Sequence, residues 1–126
     1  MKLSTLLRLQ VFYVLAGIAF NLASIAVIQS GGEALTSSDP YFGMIAMSIY
    51  GLFLMAGHYR KITLYRLLMV ASILLLGYGG VFRHFFVYNE TPELYHSLPV
   101  AIIGASINAY GLFLNVIAAL GKFDED

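Results

Sequence analysis

The sequence predicts an all-α integral membrane protein: four transmembrane helices in a four-helix bundle, arranged as two parallel-repeat hairpins and forming one membrane domain over 1–126. Three observations predict this class: four long uncharged runs, a one-sided distribution of charges, and segments that recur along the chain. Because an α-helix rises ~1.5 Å per residue, ~20 residues cross the ~30 Å hydrocarbon layer. We therefore expect membrane spans at approximately 6–28, 40–58, 63–87 and 98–121.

The charged residues predict which way the chain is threaded. Four crossings place six of the seven Lys/Arg residues on the side of the termini, namely Lys2, Arg8, Arg60, Lys61, Arg66 and Lys122. The other side carries one basic residue, Arg83, together with the acidic residues Glu33, Asp39, Glu90 and Glu93. Since Lys and Arg concentrate in cytoplasmic loops, we expect both termini in the cytoplasm and the protein in the cell (inner) membrane.

Two pairs of segments match about 60 positions apart. Residues 5–9 resemble 63–67, and Tyr-Gly-Leu-Phe-Leu occurs at both 50–54 and 110–114. Glu33 and Glu93 also fall 60 positions apart. This order predicts a parallel internal repeat of hairpins over 1–60 and 61–126. The alternative is coincidence, because apolar sequences drawn from few residue types match easily.

Local chemistry predicts where the helices begin and end. Asp39 followed by Pro40 is typical of an N-cap and first helical residue, so the second helix begins there, and Ser97 does the same for the fourth. Thr63 is the expected cap of the third helix. A Ser-Gly-Gly sequence at residues 30–32 ends the first. Tyr95 fits an aromatic belt at the outer interface.

Small and amide residues at helical spacing predict the faces that pack together. In the fourth span they are Gly104, Asn108, Gly111 and Asn115; in the first span Gln10, Gly17 and Asn21 form a weaker version. Helices in a bilayer associate through such residues, and an amide facing lipid would leave its hydrogen bonds unmade. We therefore interpret this set as a helix-packing seam; a path for water or a polar ligand is the alternative.

Arg83 is the most informative single residue. The uncharged run that precedes it is short for a span, yet apolar residues continue at 85–87, so the helix is expected to extend past Arg83. A guanidinium near the interface needs a counter-ion or must reach headgroups by snorkelling. One interpretation is structural: a pair with Glu33, Asp39, Glu90 or Glu93, or snorkelling to the interface. The other is an anionic ligand or lipid head bound by Arg83 with His84 and Asn108.

Several kinds of function are disfavoured. Without cysteine there is no thiol nucleophile or thiolate metal site. No carboxylate or lysine lies within a span, and no catalytic constellation is recognisable at membrane depth. His58 is expected on one side and His84 and His96 on the other, as exposed loop residues without a metal-binding motif. A cluster of His84 and His96 with Glu90 or Glu93 is the alternative. We expect no enzyme activity, catalytic residue, metal, cofactor or nucleic-acid partner.

The remaining possibilities are not enzymes. Our first expectation is an accessory or assembly subunit of a larger membrane complex, which has the lipid bilayer and other integral membrane subunits, or a second copy of itself, as partners. The alternative is a binding protein for a hydrophobic or amphiphilic small molecule, a quinone or lipid, with an outer-side anionic-head site at Arg83. A small homodimeric transporter is disfavoured by the missing carboxylates.

The threading makes a direct prediction about accessibility. A cysteine introduced at Ser37 is expected to react with a membrane-impermeant maleimide added outside the cell, because residues 30–39 are assigned to an external loop. The native chain contains no cysteine to mask the signal. Labelling from the cytoplasmic side alone would contradict the external position of residues 30–39 and place both termini outside.

Overall fold

The computed structural model describes all residues, 1–126, and contains four helices long and apolar enough to cross a membrane. They are α1 (Leu3–Gln29), α2 (Pro40–His58), α3 (Ile62–Glu90) and α4 (Leu98–Leu120). A 3₁₀ turn, Pro92–Leu94, is the only other helical element, and the chain has no strands. Each predicted span coincides with one helix to within a turn at either end. The all-helical fold class is therefore confirmed.

The capping residues explain where two helices begin. A side-chain oxygen of Asp39 accepts from the backbone N–H of Tyr41 at 2.9 Å, and Ser97 Oγ accepts from Val100 N–H at 3.3 Å. Both caps were predicted. The cap predicted at Thr63 is wrong: α3 begins one residue earlier, and its N-cap position, Lys61, makes no side-chain capping bond. The Lys61 carbonyl already accepts the first helical hydrogen bond, so Thr63 lies inside the first turn.

The four helices form a square in which every neighbour is antiparallel. α1 packs against α2 and α4, and α3 packs against the same two helices. No Cα atoms of the diagonal pairs, α1 with α3 or α2 with α4, approach within 8 Å. We call the end with residues 30–39 and 91–97 the loop end and the other the termini end. This up-down-up-down order follows from short connections between consecutive helices.

Small residues let large side chains enter the helix interfaces. Gly104 faces the Phe20 ring, and Gly111 faces the Tyr13 ring so closely that a β-carbon there would overlap it. On the first helix, a Cβ at Gly17 would lie 2.6 Å from Met47 Sδ. These three glycines are buried between helices. They allow the close approach on which helix association in lipid depends.

A buried polar network joins all four helices near the termini end. Tyr65 of α3 donates to Gln10 Oε1 of α1 at 2.5 Å, and Tyr50 of α2 donates to Asn115 Oδ1 of α4 at 2.5 Å. Gln10 Nε2 lies 3.3 Å from Asn115 Oδ1 and 3.2 Å from Met69 Sδ. All five side chains are almost fully buried. The two tyrosine bonds cross the diagonals of the square, so side chains connect helices whose backbones do not touch.

The matched segments do not occupy matched environments, and the structure does not support the internal repeat. Leu6 is fully buried, whereas its counterpart Leu64 is 51% exposed. Tyr50 is buried and Tyr110, its counterpart, is only half-buried. Sequence identity at these offsets therefore does not correspond to equivalent packing.

The two chain ends close the termini end of the bundle. Leu3 N–H donates to the carbonyl oxygen of Asp124 at 2.9 Å, and Asp124 N–H donates to Met1 O at 2.8 Å. Asp126 accepts hydrogen bonds from Ser4, and the bond from the Ser4 hydroxyl lowers the pKa of that carboxyl. The Asp126 carboxylate also lies 4.0 Å from Arg60 in the turn between α2 and α3. These contacts fasten both termini to one another and to that turn.

The network predicts a difference between two glutamines of the same helix. Gln10→Leu removes the acceptor of the buried Tyr65 hydroxyl, which should cost ~1–3 kcal/mol of stability. Gln29→Leu is the matched control, because Gln29 is exposed at the end of α1 and its replacement should stay within ~0.5 kcal/mol. Thermal unfolding in detergent measures both. Equal melting temperatures for the two variants would contradict a stabilising network.

Candidate functional site

A cavity of about 440 Å³ lies between the four helices at the loop end of the bundle. Its floor is formed by Gly17, Met47 and Ile107, and residues 36–39 of the α1–α2 loop cover it from above. The volume falls in the ~300–1,000 Å³ range of small-molecule sites. Apolar side chains dominate the deep part of the cavity, and polar groups dominate its loop end. This distribution matches an amphiphilic molecule, which has an apolar tail and a polar head.

The cavity side of α3 is built by an unusual stretch of helix. Residues Ile73–Phe82 are π-helical, with α-helix before and after them. Such wider turns within α-helices frequently occur at functional sites. Leu75, Gly79 and Arg83 recur every fourth residue along this stretch and all line the cavity. No atom lies within 4 Å of the position that a Cβ at Gly79 would take, so this glycine leaves space open.

His84 is held by a hydrogen-bonded cluster that covers the cavity. Its Nε2 lies 2.8 Å from Ser38 Oγ, and its Nδ1 lies 2.7 Å from the Tyr95 hydroxyl. Ser37 Oγ is 3.0 Å from the same hydroxyl. These bonds join the α1–α2 loop to α3 and to the α3–α4 connection. We call Ser37, Ser38, His84 and Tyr95 the roof.

Arg83, by contrast, has no partner within the chain. The only ion pairs are Met1 with Asp124 and Arg60 with Asp126, both at the termini end. The guanidinium makes no hydrogen bond to protein and is exposed at the cavity wall. The predicted pairing of Arg83 with Glu33, Asp39, Glu90 or Glu93 is therefore not formed, which leaves snorkelling and ligand binding as the interpretations of this residue. Asp39 lines the same cavity, but its carboxylate is used to cap α2.

Asn108 completes the set of predicted ligand-binding residues. Its Oδ1 accepts from the Tyr13 hydroxyl at 3.4 Å, and its side chain packs against Gly80. Asn21 lies in the same cavity wall, where its Nδ2 donates to the Gly17 carbonyl at 2.8 Å. The structure thus brings Arg83, His84 and Asn108 to one cavity.

The other members of the predicted packing seam divide between interface and cavity. Gly104, Gly111, Asn115 and Gly17 are buried, whereas Asn21 and Asn108 are half-buried at the cavity. Gly111 and Asn115 pack outside the cavity, towards the termini end, whereas Gly17, Asn21, Gly104 and Asn108 all line the cavity. Because Gly17 and Gly104 also admit Met47 and Phe20 into the helix interfaces, the two interpretations of the seam overlap at these glycines.

The sequence singled out His84 but not its partners in the roof, Ser37, Ser38 and Tyr95. The aromatic belt predicted for Tyr95 is wrong, because the side chain is only 7% exposed and its hydroxyl contacts His84 and Ser37. A Thr-Ser-Ser-Asp run at 36–39 was the available signal, since clustered hydroxyls in a short loop can bond neighbouring side chains. No group of three metal-ligating side chains forms, and His58 and His96 are exposed outside the cavity.

Comparisons with protein-family models, with curated proteins and with solved structures found no match to this chain. Any functional conclusion therefore depends on the geometry of the cavity.

The different surroundings of Arg83 and His84 predict different effects on stability. His84→Ala removes the hydrogen bonds to Ser38 and Tyr95 and should cost ~1–3 kcal/mol. Arg83→Gln breaks no hydrogen bond or ion pair within the chain and should stay within ~0.5 kcal/mol in delipidated protein. Melting curves in a neutral detergent measure both effects. A loss for Arg83→Gln as large as that for His84→Ala would mean that the guanidinium has a structural partner.

Proposed function

We propose that this chain is a multi-pass membrane protein that binds a hydrophobic or amphiphilic small molecule, of the lipid or quinone class, in the loop-end cavity. The observation that carries the proposal is the cavity itself, with an apolar floor and an unpaired arginine at its polar end. Such a polarity gradient fits a molecule with a tail at Met47 and Ile107 and a head at Arg83.

Membrane insertion and orientation are part of the proposal. Four helices have the length and apolarity for it, and their outward-facing side chains are large and hydrophobic. The excess of Lys and Arg at the termini end favours cytoplasmic termini in the cell membrane. The cavity then opens in the outer half of the bilayer. The proposed insertion and orientation do not depend on a duplication of the two hairpins.

Arg83 favours an anionic head. A guanidinium binds phosphate or carboxylate through paired, charge-assisted hydrogen bonds, and here it has no protein carboxylate within 4.0 Å. Asn108, which packs against Gly80 of α3, and Asn21 of α1 add amide groups to the lining of the cavity. A quinone would use the same donors for its carbonyl oxygens.

An accessory role in a larger complex remains the second candidate. No feature of the structure favours this role over ligand binding. The exposed apolar side chains could pack against another subunit, but helices that face lipid require the same surface. Co-purification of another integral membrane protein, together with an empty cavity, would favour this role over ligand binding.

Occupancy of the cavity is tested by filling it. Gly79→Leu should place a side chain in the open space and abolish retention of phosphatidylglycerol by protein in nanodiscs, as read by native mass spectrometry. Ala109→Leu is the matched control, because Ala109 is exposed on α4. Arg83→Gln should weaken retention about tenfold or more, the effect of losing a charged hydrogen bond, and Arg83→Lys should weaken it less. Unchanged retention in Gly79→Leu would contradict a ligand in this cavity.

A further inference from the structure

We propose that the ligand is an anionic glycerophospholipid that enters sideways from the bilayer, through a gap between α2 and the loop-end half of α3, beneath a closed roof. This inference rests on the proposed function and adds the route and the class of lipid. Three features carry it: a separation between two helices, closed packing on the other sides, and an apolar rim below a free arginine.

The gap lies on one side of the square. α2 packs against Ile62–Ser72 of α3, but no Cα atom of α2 comes within 8 Å of any Cα in the π-helical stretch, Ile73–Phe82. Both segments nevertheless line the same cavity, α2 through Phe42 and Ala46 and α3 through Leu75 and Gly79. The two helices therefore diverge towards the loop end, which leaves room for an opening of the cavity between them.

The other three sides are closed by packed helices. α1 contacts both α2 and α4, and the π-helical stretch of α3 contacts α4. In these interfaces large side chains fill the space, as Phe20 does against Gly104 and Leu112 against Gly77. A lipid chain has no path through them.

The loop end is closed by hydrogen bonds. Besides the roof contacts to His84, His96 N–H donates to the Leu35 carbonyl at 3.0 Å, and Leu35 N–H donates to Ser24 Oγ at 2.9 Å. The two loops are thus joined to each other and to α1. Access from water through the roof would break this connected set, whereas access through the gap breaks none of it.

The rim of the gap has the chemistry of the bilayer interior. Phe42 is 70% exposed and Leu75 is 73% exposed, on α2 and α3 respectively. Apolar side chains at this exposure suit contact with lipid tails. Arg83 lies two four-residue steps beyond Leu75 towards the loop end and also lines the cavity. A phosphate can bind there at interface depth while the chain below it lies in hydrocarbon.

The size of the cavity selects how the lipid is held. A cavity of about 440 Å³ is of small-molecule size and cannot enclose both acyl chains of a diacyl lipid, so one chain can lie in the cavity while the second stays in the bilayer through the gap. The open side is therefore part of the binding mode, because it lets a two-chain lipid bind without being extracted whole.

The route is tested by bridging the gap in folded protein. In a Phe42→Cys, Leu75→Cys variant, a bis-methanethiosulfonate reagent links the two rims by cleavable disulfides, and the native chain has no competing cysteine. Nanodiscs of phosphatidylcholine and phosphatidylglycerol are mixed with nanodiscs that contain deuterated phosphatidylglycerol, and native mass spectrometry follows exchange of the bound lipid. Bridging should slow exchange about tenfold or more, a barrier increase of ~1.4 kcal/mol, and reduction of the bridge should restore it.

A second bridged pair controls for general rigidity. Phe12 and Tyr110 pack across the closed α1–α4 interface with ring centroids 6.2 Å apart, so a bridge between cysteines there should leave exchange unchanged. Water-soluble glycerol 3-phosphate should not displace the lipid from bridged protein. Equally fast exchange in the bridged and reduced gap variant, or displacement by glycerol 3-phosphate, would overturn lateral access while leaving ligand binding intact. If the unmodified protein retains no phosphatidylglycerol at all, the lipid assignment and the proposed anionic-head function both fail.

Discussion

The arrangement of this bundle depends on four buried polar side chains that meet near its termini end. Gln10, Tyr50, Tyr65 and Asn115 come one from each helix and use one another as donors and acceptors. In an apolar bundle few other contacts distinguish one rotation of a helix from another, whereas a misdirected amide would leave its hydrogen bonds unmade. The network therefore specifies how each helix is turned, and the cavity at the loop end follows from those rotations.

The bundle is consequently divided by depth. Towards the termini end, side chains from all four helices meet, and the chain ends close the structure. Towards the loop end, Gly79 leaves space open beside the cavity, and α3 separates from α2. Close packing and an open cavity thus coexist on the same four helices, with Tyr13 and Asn108 at the boundary between them.

What the sequence could predict followed from rules of local chemistry. Hydropathy located the spans, and the caps Asp39 and Ser97 located two helix starts, because a capping side chain needs only its own neighbours. Asn115 was also predictable, because small and amide residues at helical spacing mark one face of a single helix. The surroundings of Tyr95 and Arg83 were harder to predict, since they depend on distant segments. The sequence does not show whether Tyr95 contacts lipid or His84. Nor does it show that Asp39 is unavailable to pair with Arg83 because its carboxylate caps α2.

The winding of α3 has a consequence for how its two halves are related. Each residue of an α-helix turns the chain by about 100°, and each residue of a π-helix turns it by less, because its turns are wider. Over Ile73–Phe82 these differences accumulate. The angular position of Arg83 around the helix axis thus depends on the twist of the ten residues that precede it. Tyr65 and Met69, earlier in the same helix, are held in place by the polar network. Rewinding Ile73–Phe82 as α-helix would rotate Arg83 away from the cavity and leave every hydrogen bond between Gln10, Tyr50, Tyr65 and Asn115 intact.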